Sequence, residues 1–123
     1  MSAILVIDDD ASVREVVSEM LRLEGHTVTI AENGREAIPL LAANTFDLVI
    51  TDLIMPEKEG IETISEIRRT NNKIPIVAIS GGGRLGPGDY LETARYIGAD
   101  ATLAKPFARQ ELLATIGALL DRR

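Results

Sequence analysis

This chain of 123 residues contains no cysteine, and its acidic residues outnumber its basic ones. Without cysteine, the chain cannot form a disulfide framework, a thiolate zinc site or a thiol nucleophile. Thirteen Lys and Arg residues against nineteen Asp and Glu residues give a formal charge of −6. Because binding to a phosphate backbone depends on clustered Lys and Arg, we expect this domain to make no contact with nucleic acid.

Long apolar runs and a basic leader are absent as well. A helix that spans a bilayer needs roughly 18 consecutive apolar residues, and no run here approaches that length. The N-terminal residues MSAILVIDDD reach three carboxylates after a short apolar run, unlike a secretory signal peptide. These absences predict a cytoplasmic protein that makes no contact with a membrane.

The composition is that of one globular domain over residues 1–123, with 46% hydrophobic and 26% charged residues. Aromatic residues make up only 3%, so the core must consist of Ile, Leu, Val and Ala. Short apolar runs recur along the chain, and continuous runs of this kind are typical of parallel strands buried on both faces. They predict five strands: Ala3–Ile7, Thr27–Ala31, Leu48–Thr51, Ile76–Ile79 and Ala101–Ala104.

Helical patterns alternate with these strands, at Ser12–Glu24, Asn33–Asn44, Gly60–Arg69, Asp89–Ile97 and Arg109–Leu120. The first pattern predicts an apolar stripe of Val13, Val16, Val17, Met20 and Leu21, a start capped by Asp10 or Ser12, and an end at Gly25. Pro39 lies inside the second pattern, where it is expected to cost about 3 kcal/mol or to kink the helix. Alternating strands and helices predict a parallel sheet with helices on both faces.

Chemically active side chains follow four of the predicted strands. Asp8 and Asp9 follow the first strand, Asp52 the third, Ser80 the fourth and Lys105 the fifth. Ligands of open α/β sheets bind beyond the carboxyl ends of the strands, so these side chains are expected to converge.

Such an acidic cluster needs a cation. Two carboxylates about 5 Å apart repel by about 3 kcal/mol at an effective dielectric constant near 20. A hard divalent cation with oxygen ligands relieves this repulsion, and Mg²⁺ is the usual ion where a phosphoryl group shares the site. Because a carboxylate can accept a phosphoryl group, the pattern favours phosphoryl transfer to an Asp, with the Lys105 ammonium pairing with the phosphoryl oxygens.

Four segments in order, ILVIDDD, TDLIMPEKEG, AIS and GADATLAKPF, resemble the receiver domain of two-component response regulators. The resemblance covers the chain from Ile4 to about Leu120. It implies a flavodoxin-like, doubly wound (βα)5 fold, a three-layer sandwich with a five-stranded parallel sheet in the order 2-1-3-4-5.

The resemblance also implies roles for individual residues. Asp52 matches the phosphoacceptor. Asp9, Asp52 and the main-chain carbonyl of Ile54 match the ligands of Mg²⁺, and Asp8 matches the acidic neighbour that often acts through water. Ser80 matches the hydroxyl that moves towards the phosphoryl group, and Lys105 the lysine that pairs with it.

The phosphoryl donor is expected to belong to another protein. His26, the only histidine, is predicted to be a solvent-exposed turn residue at the edge of the sheet opposite the carboxylates. The resemblance implies a sensor histidine kinase or a histidine phosphotransfer protein as the donor. It also implies a downstream effector bound by the surface of residues 89–97, 101–104 and 109–120. The domain would then be a switch and not an enzyme that turns over a substrate.

Two alternatives stay open. The first alternative is a degenerate receiver that binds a partner constitutively, because Thr102 stands where the family usually has an aromatic switch residue. The other alternative is a Mg²⁺-dependent phosphatase of the haloacid dehalogenase type, which needs a second acid two residues after its Asp nucleophile; that position is Ile54. The glycine-rich segment 80–88 is expected to be a mobile loop beside the site.

Overall fold

The structure is a computed structural model that describes residues 2–52, 59–70, 73–80, 98–104 and 107–121, with only the backbone described for residues 59–61 and 80. Its strands are β1 (Ala3–Ile7), β2 (Thr27–Ala31), β3 (Leu48–Asp52), β4 (Ile76–Ser80) and β5 (Ala101–Ala104). Its helices are α1 (Ala11–Leu23), α2 (Gly34–Ala43), α3 (Glu59–Thr70) and α4 (Arg109–Asp121). The predicted helix at 89–97 and the predicted loop after Ser80 lie outside these residues.

The five strands form one parallel sheet in the order β2-β1-β3-β4-β5. This order confirms the expected topology. β3 lies at the centre of the sheet, with β1 on one side and β4 on the other. The strands all point the same way, so their last residues share one edge, which we call the carboxyl edge; their first residues share the opposite, amino edge.

Helices cover both faces of the sheet, and alternate residues of β1, β3 and β4 pack against different layers. On β1, Leu5 and Ile7 belong to the core under α2 and α3, whereas Ile4 and Val6 belong to the core under α1 and α4. Both cores consist mainly of aliphatic side chains, as the composition predicts. The result is the expected three-layer arrangement with the sheet in the middle.

The caps of the first two helices agree with the sequence. The Asp10 carboxylate accepts a hydrogen bond from the Ser12 amide at 2.9 Å, and Gly25 follows the helix with a φ of 90°. Asn33 caps α2 by accepting from the Glu36 amide, also at 2.9 Å. These polar side chains satisfy amide groups that have no partner within the helix, so they fix where each helix starts.

Pro39 does not interrupt α2, which continues from Gly34 to Ala43. A proline at this position removes the amide that would bond to the Arg35 carbonyl. Both residues are exposed, so water can hydrogen-bond to that carbonyl. The expected cost is reduced because the broken bond lies on the solvent side.

Three expectations about burial were wrong. Val16, assigned to the apolar stripe of α1, is 53% exposed. β2 is largely exposed or half-buried because it is an edge strand, so only its last residue is fully buried. His26 is half-buried and not a solvent-exposed turn residue: its Nδ1 is buried and makes no hydrogen bond within the described residues.

A single arginine ties three segments together at the amino edge. The Arg68 side chain, from the last turn of α3, donates to the carbonyl oxygens of Gly98 (2.8 Å) and Ile74 (2.6 Å) and pairs with the Asp100 carboxylate at 2.5 Å. The same Asp100 carboxylate accepts from the Ile76 amide at 2.8 Å. We call these residues the amino-edge clamp; it fixes the entries to β4 and β5 against α3.

No helix in the described part of the chain is long and apolar enough to cross a membrane.

Candidate functional site

The ends of four strands meet at the carboxyl edge. Ile7 of β1 is in register with Thr51 of β3, and Asp52, the last residue of β3, is in register with Ile79 of β4. Ser80 and Ala104, the last residues of β4 and β5, are in register as well. The backbone therefore brings the positions of the predicted site side by side.

Asp8 is held in place from both sides of the turn that links β1 to α1. Its amide donates to the Ala31 carbonyl at the end of β2 (3.1 Å), and its carboxylate accepts from the Asp10 amide (2.9 Å). The side chain is nearly fully buried, with 2% exposure. The orientation of this carboxylate is thus set by main-chain groups of two segments.

Asp52 ends the central strand and is also buried, with 4% exposure. Asp9 is exposed. Each of Asp8, Asp9 and Asp52 offers a carboxylate oxygen, and these oxygens all lie within 4.8 Å of one another. The three carboxylates that the sequence predicted to converge are therefore brought together at the carboxyl edge.

This cluster fits a divalent cation. Three carboxylate oxygens at such separations repel one another by several kcal/mol in total at an effective dielectric constant near 20. Hard cations such as Mg²⁺ take oxygen ligands and are usually bound by one or two carboxylates together with phosphoryl oxygens and water. Two buried carboxylates beside one exposed carboxylate form a donor set of this kind, open to solvent on the side of Asp9.

A basic side chain that the sequence analysis missed lies beside the cluster. Arg14, in the first turn of α1, donates from Nη1 to the main-chain oxygen of Asp8 at 2.7 Å. Its Nη2 lies 3.8 Å from a carboxylate oxygen of Glu32, which follows β2. The only sequence signal for Arg14 is its position in α1, the helix that directly follows the acidic residues, six positions after Asp8.

Other predicted site residues lie wholly or partly outside the described residues. Ile54 and Lys105 are not described, and Ser80 is described only by its backbone. Thr102, in place of the usual aromatic, is half-buried on β5 and in register with Ala78 of β4. The roles of all these residues stay predictions.

The family model described as the response regulator receiver domain matches residues 4–117. Among curated relatives, the chain is 39% identical over 119 residues to the response regulator MprA of Mycolicibacterium vanbaalenii. It is 38% identical over 122 residues to the transcriptional regulatory protein CpxR of Escherichia coli. These alignments cover 97% and 99% of this chain but 50% of each relative, so the chain spans about half the length of the curated relatives it matches.

Solved structures agree with the fold. A response regulator receiver domain protein from Clostridium thermocellum superposes with a TM-score of 0.89 at 29% identity, covering 99% of this chain and 96% of that one. The likeness therefore extends over nearly the whole length of both chains.

Proposed function

The chain belongs to the response regulator receiver domain family, and on that premise we propose that it is a switch that accepts a phosphoryl group on Asp52. The observation that supports this proposal is the meeting of the Asp8, Asp9 and Asp52 carboxylate oxygens within 4.8 Å at the end of the central strand. Residues 1–123 act as one receiver unit in this proposal.

The transfer needs a nucleophile and a donor from different proteins. A carboxylate oxygen of Asp52 forms a bond to phosphorus while the phosphorus–nitrogen bond of a phosphohistidine breaks. The bonding electrons return to the imidazole nitrogen of the donor. The donor is a sensor histidine kinase or a histidine phosphotransfer protein, because the chain's one histidine, His26, follows α1 at the amino edge.

The acidic cluster is the proposed Mg²⁺ site. Asp9, Asp52 and the main-chain carbonyl of Ile54 hold the ion, and Asp8 acts through a water molecule. When bound, Mg²⁺ supplies positive charge to the phosphoryl oxygens and offsets the repulsion among the carboxylates. Burial of Asp8 and Asp52 restricts the motion of their side chains, so their oxygens stay near that of Asp9 before any ligand binds.

In this proposal, phosphorylation of Asp52 changes the surface that binds the downstream effector. The Ser80 hydroxyl and the Lys105 ammonium move towards the new phosphoryl group and change the surface formed by residues 89–97, β5 and α4. This surface binds a downstream effector, and the two conformations are biased by charge at the site. The domain promotes its own phosphorylation and dephosphorylation but turns over no separate substrate.

A second candidate is a receiver that binds its partner constitutively. The observation in its favour is Thr102, a half-buried, β-branched residue that cannot perform an aromatic rotamer switch. In this case the affinity for the partner does not depend on phosphorylation of Asp52, and a protein that forms no adduct with acetyl phosphate supports this candidate.

One experiment tests the proposed transfer. The protein is incubated with acetyl phosphate and Mg²⁺, and its intact mass is measured. We expect an adduct of one phosphoryl group in the wild-type protein and in the matched control Asp10→Asn, which keeps the helix cap. The adduct is absent in Asp52→Asn and after chelation of the metal. An unmodified wild-type protein, or an adduct that persists in Asp52→Asn, contradicts the proposal, and steady release of phosphate from small esters favours a phosphatase.

A further inference from the structure

Arg14 occupies an unusual position for a charged side chain. Only 12% of its side chain is exposed, although it lies in the first turn of α1, directly after the acidic turn. Burial of a guanidinium is unfavourable unless its donors are paired. Arg14 donates from Nη1 to the main-chain oxygen of Asp8 at 2.7 Å, so its burial is coupled to the site.

This hydrogen bond adds a third contact to those described above for Asp8. The amide of Asp8 bonds to Ala31 of β2, its carboxylate accepts from the Asp10 amide, and its carbonyl accepts from Arg14. The Asp8 carbonyl and the Asp9 amide belong to the same planar peptide group. A bond that fixes this carbonyl therefore also fixes the direction in which Asp9 leaves the strand.

The second contact of Arg14 is weaker. Glu32 lies 3.8 Å from Nη2, and its side chain is 63% exposed, so solvent screens the pair. The Glu32 amide donates to the Glu36 carboxylate in the first turn of α2. Glu32 thus limits where the guanidinium can swing, while the bond to Asp8 carries the coupling to the site.

We propose that Arg14 is a positioning residue: it holds the turn between β1 and α1 so that the carboxylates of Asp8 and Asp9 meet that of Asp52 around a divalent cation. This inference rests on the proposed function. A second effect of Arg14 would change Mg²⁺ affinity in the opposite direction. Its positive charge beside the cluster repels a cation, so on this ground alone removal of Arg14 would tighten Mg²⁺ binding. The direction of the change in metal affinity decides between positioning and repulsion.

The test is a titration of the metal-free protein with Mg²⁺ alone, in which isothermal titration calorimetry measures the dissociation constant. Outer partners of metal ligands typically change metal affinity by a factor of 10 or more, so Arg14→Met is expected to weaken Mg²⁺ binding about tenfold. Arg14→Lys keeps the charge and one donor but not the planar fork, so its loss is smaller. Both variants keep a long side chain with good helix propensity.

Two variants serve as controls. Arg22→Met removes the same charge from the exposed side of the last turn of α1, and Glu32→Gln removes the exposed partner of Arg14 while the bond to Asp8 remains. Both are expected to bind Mg²⁺ within about twofold of the wild-type protein. Urea unfolding in EDTA measures the effect of each variant on the stability of the metal-free protein. A purely structural effect does not by itself alter the gain in stability when Mg²⁺ is added.

The outcomes separate this inference from the proposed function. Wild-type protein that binds no Mg²⁺ contradicts the proposed function and this inference with it. Wild-type protein that binds Mg²⁺, with Arg14→Met unchanged or tighter, contradicts only the positioning role. If Arg14→Met does not fold, the same comparison is made with Arg14→Lys, whose weaker binding at unchanged stability in EDTA supports the inference and whose unchanged binding overturns it.

Discussion

The two edges of the sheet treat charge in opposite ways. At the carboxyl edge, Asp8, Asp9 and Asp52 bring three groups of the same sign within 4.8 Å of one another. At the amino edge, the Arg68 guanidinium meets the Asp100 carboxylate and two main-chain carbonyls at 2.5–2.8 Å. One edge concentrates like charge, and the other pairs opposite charges and adds hydrogen bonds to main-chain carbonyls.

This difference separates stability from function within one small domain. The amino-edge clamp satisfies polar groups and joins α3 to the entries of β4 and β5, so it stabilises the fold. The acidic cluster costs free energy in the metal-free protein, and a bound cation can recover that cost. Changes at the amino edge should therefore affect unfolding, and changes at the carboxyl edge should affect binding and phosphorylation.

The largest effect on stability is expected from Arg68→Met. This change removes the Arg68 donor from the Asp100 carboxylate and from the carbonyls of Ile74 and Gly98, which should lower the free energy of unfolding by about 3 kcal/mol. Urea unfolding measures the loss. The matched control is Arg69→Met, because Arg69 is exposed and lies 3.9 Å from Glu66, so its removal should cost at most about 0.5 kcal/mol.

Arg68→Met is expected to accept a phosphoryl group from acetyl phosphate under conditions in which the variant is folded, and loss of the adduct there would contradict the separation of the two edges. Such a result would mean that the clamp also shapes the carboxyl edge.

Mg²⁺ should produce the next largest effect, through the carboxyl edge alone. At a free concentration of 100 times its dissociation constant, a ligand that binds only the folded state stabilises it by about 2.7 kcal/mol. We expect a gain of this size for the wild-type protein in urea unfolding and little gain for Asp9→Asn, which lacks one ligand. Asp100→Asn should retain the full Mg²⁺-dependent gain, and an equal loss of that gain in both variants would contradict the separation of the edges.

The same chemical change should have opposite signs at the two edges when no metal is present. Asp9→Asn removes one of three repelling charges, so it should raise the stability of the protein in EDTA. Asp100→Asn removes the charge that pairs with Arg68, so it should lower stability by about 1 kcal/mol. Thermal unfolding in EDTA at low salt compares them, and added salt should reduce both shifts because it screens the charges. If Asp9→Asn and Asp100→Asn shifted the melting temperature in the same direction, the predicted difference between the two edges would be wrong.

Local patterns in the sequence predict most of the fold. The bounds of β1, β2 and β5 match the apolar runs, because continuous Ile, Val and Leu segments must be buried on a sheet. The convergence of Asp8, Asp9 and Asp52 follows from one topological rule about the ends of parallel strands. These features depend on short stretches of chain and on the direction of the strands.

Features that depend on side-chain reach could not be predicted in this way. Arg68 contacts Asp100 across 32 positions, and no local pattern pairs these two residues among the many charged ones. Arg14 resembles any helix arginine until the turn around Asp8 is seen. Val16 fits a helical stripe, yet it is half exposed, because periodicity does not show how wide a face of α1 the neighbouring elements cover.

Gly98 carries a consequence for mutational tolerance. Its φ of 128° strains any other residue, and a Cβ there would lie 2.8 Å from Cγ of Arg68, so a side chain at this position must displace Arg68 from the amino-edge clamp. In a library of single substitutions, position 98 should therefore accept almost nothing when cells are sorted for protein abundance. Position 9 should accept many residues when cells are sorted for protein abundance. Those substitutions should be depleted only when cells are sorted for the signalling output of the proposed switch.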